Sequence, residues 1–212
     1  LSAAQARLLG GDVSVEGGST SGGGLRFSAQ GVATAEALRR TPELGSLAQL
    51  AQAASGQAAY RLQLAIDPQG QAEVSLSSPL QGLALDLPAP LNKAAETVLP
   101  LKLQLSSPSA GRDDLRLELG LLAQAHYLRD ISNVAAPPRV LRGALSIQDS
   151  LPALPPSGVH LNAKPGTVNL DAWQSTLQRL FGSATDGAKD GAKDSANASS
   201  AAGYTPTKID LR

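Results

Sequence analysis

Short stretches of this chain place Leu, Val or Ile at every second position with charged or amide residues between them, and no other feature constrains its folding so tightly. Tyr60, Leu62, Leu64 and Ile66 alternate with Arg61, Gln63 and Asp67. Leu101, Leu103 and Leu105 alternate with Lys102 and Gln104, and Leu115, Leu117 and Leu119 with Asp114, Arg116 and Glu118. Successive side chains on a strand point to opposite faces, so each stretch forms a ribbon that is apolar on one side and wet on the other. What the apolar side touches is the functional question.

The remaining segments fit strands around that pattern. Residues 4–32 read as two strands about a glycine-rich turn at Gly17–Gly24. Thr34, Ala35, Glu36 and Leu38 start a helical turn, and Leu44, Leu47, Leu50, Ala51 and Ala54 continue at helical spacing, so amphipathic helix is expected near 34–54. A hairpin follows, with strands at 57–67 and 71–78, the second carrying Val74 and Leu76, around Pro68-Gln69-Gly70. The proline-punctuated stretch 79–100 predicts a short helix from Leu91 to Thr97. Strands are expected near 101–107, 113–128, 139–148 (with Leu145 and Ile147), 159–163 and 166–170. Asp171 is positioned to cap a helix at 171–181 whose apolar stripe is Trp173, Leu177, Leu180 and Phe181.

Residues 183–203 hold the tandem Gly187-Ala188-Lys189-Asp190 and Gly191-Ala192-Lys193-Asp194 and have nothing to bury, which predicts a flexible linker. Strand character resumes over 204–212. The chain therefore reads as one β-rich segment over 1–182, a linker, and the start of a further strand. The fold class is mainly β, or β-rich α+β: a curved antiparallel sheet or open β-groove, with two or three amphipathic helices flanking or plugging it. Strand-like sequence at both ends suggests a piece of a longer polypeptide.

Composition removes several functions. Lys+Arg and Asp+Glu are equal at 18 each, which leaves no electrostatic footprint for nucleic acid. The absence of cysteine removes thiol catalysis and thiolate metal sites. His126 and His160 lack metal-ligand spacing, so no metal or cofactor is expected. Asp113-Asp114 read as a solvated strand end, because neighbours on a strand face opposite sides. The glycine run lacks the Gly-Lys-Ser/Thr ending of a phosphate loop, and no Gly-x-Ser-x-Gly elbow occurs, so no catalytic residue is assigned. Arg142 is left between a structural ion pair and a headgroup contact, and Trp173 reads as a packing anchor.

The block from Ser77-Ser78-Pro79-Leu80-Gln81-Gly82-Leu83 through Leu87-Pro88-Ala89-Pro90-Leu91-Asn92-Lys93-Ala94-Ala95-Glu96-Thr97-Val98-Leu99-Pro100-Leu101 resembles the YhdP family of AsmA-like bacterial envelope proteins. So does the later order Arg142-Gly143, Leu154-Pro155, Gly158-Val159 and Asn169-Leu170-Asp171-Ala172-Trp173. The resemblance implies a non-enzymatic periplasmic segment of a long protein, held to the inner membrane by an anchor outside this chain. Such a protein would carry phospholipid between inner and outer membranes along an apolar β-groove. On this reading the partners are phospholipid acyl chains and the remaining segments of the same polypeptide. The candidate lipid-facing residues are Leu62, Leu64, Ile66, Val74, Leu76, Leu101, Leu103, Leu105, Leu115, Leu117, Leu119, Leu145 and Ile147. The rival expectation is a closed β-sandwich or scaffold module that binds a protein partner, in which the same leucines are ordinary core.

Overall fold

A computed structural model describes residues 4–41, 46–133, 135–136, 138–164, 166, 169–181 and 204–211. The strands are β1 (Ala4–Leu8), β2 (Gly11–Ser19), β3 (Leu25–Thr34), β4 (Ala54–Ile66), β5 (Ala72–Ser78), β6 (Leu83–Leu85), β7 (Leu101–Ser109), β8 (Arg112–Leu119), β9 (Ala123–Asp130), β10 (Arg139–Ile147), β11 (Gly158–Ala163) and β12 (Lys208–Leu211). The helices are α1 (Ala35–Arg39), α2 (Ser46–Leu50), which runs into a 3-10 turn at Ala51–Ala53, and α3 (Leu170–Phe181). The strands form one open 12-stranded sheet in the order β1-β2-β3-β4-β5-β7-β8-β9-β10-β11-β12, with β6 paired to the start of β4. Near-sequential order follows from hairpin connections, which favour neighbours in the chain as neighbours in the sheet.

Several expectations are corrected. Residues 4–32 hold three strands: the chain first reverses at Leu9-Gly10, both with positive φ, and Gly17 and Gly18 lie inside β2. The hairpin tip is Thr20 to Gly24, closed by the Thr20 amide donating to the Gly24 carbonyl at 2.7 Å. The stretch 113–128 is two strands, β8 and β9, divided by a turn at 120–122 that Gly120 enters with φ 53°.

Leu91–Thr97 is not helical. The Leu85 and Lys93 backbones pair with each other instead, and the buried Lys93 ammonium donates to the Leu83 and Ala94 carbonyls at 2.6 and 3.0 Å. Those contacts hold Lys93 against β6, and the chain then turns, the Thr97 amide donating to the Ala94 carbonyl at 3.2 Å. Helix α3 opens one residue early, and its cap is Asn169, whose side chain accepts from the Ala172 amide at 3.0 Å. Asp171 sits in the first turn, where a carboxylate suits the helix dipole. Of the expected strand at 166–170, Gly166 and Asn169 are not extended strand, Leu170 is helical, and the rest lies outside the described residues, as does 183–203.

The sheet is also not wholly antiparallel, because β10, β11 and β12 run parallel. The 148–157 connection makes the crossover without a helix. Asn162 donates its amide to the Ser150 carbonyl at 3.2 Å, and beneath this part of the sheet Ala144 and Ser146 are almost fully buried.

Candidate functional site: the apolar face of the sheet

The strand register converts the leucine alternation into a surface. One row runs through every strand of the main path: Ala4, Val15, Ala29, Leu62, Leu76, Leu103, Leu117, Ala125, Leu145, Leu161 and Ile209, each opposite the next. A second row carries Phe27, Leu64, Val74, Leu105, Leu115 and Tyr127. A third carries Leu101, Leu119, Ala123, Ile147 and Ala163, and Ile66 opposes Ala72 beyond the second. The opposite face reads Glu16, Ser28, Gln63, Ser75, Gln104, Arg116 and His126 along the corresponding row.

All the candidate lipid-facing residues therefore share one face, and every one of them is half-buried, whereas Tyr60 at the head of its run is buried. A leucine sealed between two layers would be close to fully buried; these keep part of their surface exposed. Spacings of about 4.8 Å between strands and 3.3 Å along them make this face about 48 Å long and 20 Å wide.

The helices flank this face and do not plug it. Ala35 of α1 is buried with Ala54, Ala58 and Leu83, at the beginning of β4 and at β6. Leu180 of α3 is buried with Ala53 and Leu87, with Leu91 packed alongside. Trp173 is half-buried and ties α3 to the proline loop, its indole N–H donating to the Ala89 carbonyl at 2.8 Å. Cover over the apolar rows comes instead from Tyr204, which packs against the buried cluster of Ala125, Tyr127 and Val159 at the β8–β11 end.

Three aromatics of the strands stand on this face, and each has glycine directly opposite. The pairs are Phe27 with Gly17, Tyr60 with Gly31, and Tyr127 with Gly143. A Cβ on Gly17 or Gly143 would come within 2.5 Å of the facing ring, and one on Gly31 within 3.0 Å of the Tyr60 hydroxyl. The rings lie across the backbone of the next strand, which no other residue would allow. Gly17 thus belongs to β2 because Phe27 occupies the side-chain space beside it.

Charge is placed asymmetrically. Asp113 and Asp114 do face opposite sides, but only Asp114 is on the polar face, where it accepts from His126 at 2.9 Å and Arg116 at 3.0 Å. Burial alone would raise the Asp114 carboxyl; the His126 and Arg116 contacts outweigh that and hold it below the usual range. Asp113 lies on the apolar face and is buried, so the expected solvated strand end is wrong there. It takes a forked pair from Arg129, Nε at 2.8 Å and Nη2 at 2.6 Å.

His160 pairs with Asp210 at 2.7 Å on the polar face, and Arg142 falls on that face too, which removes it as a headgroup contact for the leucine side. Burial, with Tyr204 beside it, pushes the Tyr127 phenol up to about 12, so it remains a neutral donor. Among the described residues no group of three or more His, Cys, Asp or Glu could hold a metal.

Sequence reading missed Arg129 and Tyr204. Their partners lie far away in the chain, and neither stands in an alternating run of leucines.

A family model described as YhdP protein matches residues 1–212. No curated protein and no solved structure matches the chain.

Proposed function

The chain belongs to the YhdP family, and from that premise we propose that this segment of an AsmA-like envelope protein is a non-catalytic stretch of lipid conduit, its apolar sheet face bearing phospholipid acyl chains. The observation that carries the reading is the unbroken apolar row from Ala4 to Ile209, half-open along the predicted leucines. An acyl chain in water costs about 0.8 kcal/mol per exposed CH₂, so a lipid crossing an aqueous space needs apolar surface along its whole route. A sheet supplies that surface, because the route runs across strands and each added strand lengthens it by about 4.8 Å.

Among the described residues no helix is long and apolar enough to cross a membrane. In this reading the segment stands in the periplasm, the membrane anchor belongs to another part of the polypeptide, and neighbouring segments continue the path.

The test is lipid capture. A photo-crosslinking residue at Leu103 in the full-length protein should trap phospholipid, and Asp at Leu62, Leu103 or Leu117 should abolish both capture and supply of phospholipid to the outer membrane. Capture of a protein in place of lipid, with lipid supply intact in the Asp variants, would establish the scaffold reading. That reading has one observation in its favour, the cover that Tyr204 provides over Tyr127.

A further inference from the structure

The apolar face carries a buried charge pair whose guanidinium also meets the hydroxyl of Tyr204. Asp113 and Arg129 sit directly opposite each other on β8 and β9, in the row next to Leu115 and Tyr127. Their side chains are 6% and 13% exposed. A pair buried on an apolar face is costly to desolvate, and two apolar side chains would fill the same space more cheaply, so the pair calls for a use.

The Asp113 carboxylate engages Nε and Nη2 of Arg129, which fixes the plane of the guanidinium. The third nitrogen, Nη1, donates to the Tyr204 hydroxyl at 3.0 Å. Tyr127, edge-on to Tyr204 with ring centroids 5.0 Å apart, donates its own hydroxyl to the Tyr204 carbonyl at 3.1 Å. One residue thus satisfies two donors, and both of its acceptors are neutral oxygens. Withdrawal of Tyr204 would free a cationic N–H and a phenolic O–H on side chains two residues apart on the same face of β9, at the margin of the leucine rows. A phosphate presents paired anionic oxygens to such donors and bonds a guanidinium more strongly than a phenol does.

We propose that Arg129, oriented by Asp113 and joined by the Tyr127 hydroxyl, docks the phosphate of a phospholipid headgroup, and that Tyr204 occupies this place until the phosphate displaces it. The inference rests on the conduit reading and adds to it where the headgroup goes. A chain laid from Arg129 along β9 crosses Tyr127, Ala125 and Ala123, a run of about 20 Å. Acyl carbon would then lie on the rows while the phosphate meets the charge pair at their margin.

The experiment measures binding of three probes to the full chain: monomeric dihexanoylphosphatidylcholine, dihexanoylglycerol with the same acyl chains and no phosphate, and inorganic phosphate. Tyr204→Phe keeps the ring and removes the competing oxygen, so it should tighten the phosphatidylcholine about five- to tenfold, the worth of one hydrogen bond, and leave dihexanoylglycerol unchanged. Arg129→Lys keeps the charge and loses the fork, and should erase the preference for the phosphate-bearing lipid.

Equal tightening of both lipids by Tyr204→Phe, or none, overturns the phosphate site while leaving the conduit standing. Inorganic phosphate binding as tightly as the lipid overturns the headgroup assignment in favour of a free anion. Failure of both lipids to bind any version overturns the conduit and this site together. Because Tyr204→Phe removes a single exchangeable oxygen, its result decides the matter even if Arg129→Lys does not fold.

Discussion

Tyr127 lies across Gly143 so closely that a Cβ at position 143 would stand 2.5 Å from the nearest ring carbon. The ring cannot simply lift away, because Tyr204 packs edge-on against it. Gly143→Ala should therefore destabilise the protein by about 1–3 kcal/mol, the usual cost of overpacking. Urea unfolding checks this, and Tyr127→Leu in the same chain should recover part of the loss. Full additivity of the two substitutions would mean that the ring and the glycine are not in contact.

Leu103 stands in the middle of the cross-sheet row with strands on both sides and keeps part of its surface exposed. Truncating a fully buried leucine to Ala costs about 2–5 kcal/mol. Leu103→Ala should cost only about 1–2 kcal/mol, because the side chain is only partly withdrawn from solvent. A loss at the upper end of the buried range, measured by denaturant titration, would show that another layer covers this face.

Asp130 is held down to about 2 by hydrogen bonds from the Ser132 hydroxyl and amide and by Arg139, and Asp114 is also lowered. An unfolded aspartate titrates near 3.9. For a group depressed on folding, the stabilisation is complete above the unfolded value and disappears as pH falls through the folded one. Stability should therefore decline from about pH 4 down to about pH 2. In Asp130→Asn the decline should be shallower, as read from unfolding midpoints across a pH series; an unchanged slope would remove Asp130 from the account.

Trp173 is the chain's one tryptophan, and it reports on α3 through its bond to the Ala89 carbonyl. Leu180→Ala removes the helix's buried anchor between Ala53 and Leu87. Tryptophan emission should shift to the red while the strand signal in far-ultraviolet circular dichroism stays in place, because α3 borders the sheet and does not hold it together. Coincident loss of both signals would make α3 part of the sheet's own core.

The leucine-bearing strands were legible because period two leaves one interpretation for Leu101 to Leu105 or Leu115 to Leu119: one face in, one face out. That their apolar faces join into a single surface follows from register, which the short hairpin turns fix locally. The site's polar corner was not legible. Arg129 finds Tyr204 across 75 residues, and no periodicity spans that interval. Leu91 to Thr97 read as helix from residue preferences alone, but the Lys93 ammonium and the pairing of Lys93 with Leu85 outweigh them. The parallel turn of β11 was hidden for a related reason: the 148–157 crossover gets by on proline-rich coil, without the helix that normally announces one.

The pairing of the strand aromatics on the apolar face with glycines governs friction. Phe27, Tyr60 and Tyr127 lie down over Gly17, Gly31 and Gly143, so none of these rings stands upright as an obstacle between one strand and the next. For anything that slides across the strands, these three rings then add no step of their own to the repeat of about 4.8 Å, whereas Tyr204, edge-on to Tyr127, does. A single alanine in place of Gly17, whose facing ring has no aromatic packed on it among the described residues, would raise Phe27 into that path, adding a local barrier and slowing passage far more than it changes the average attraction of the surface.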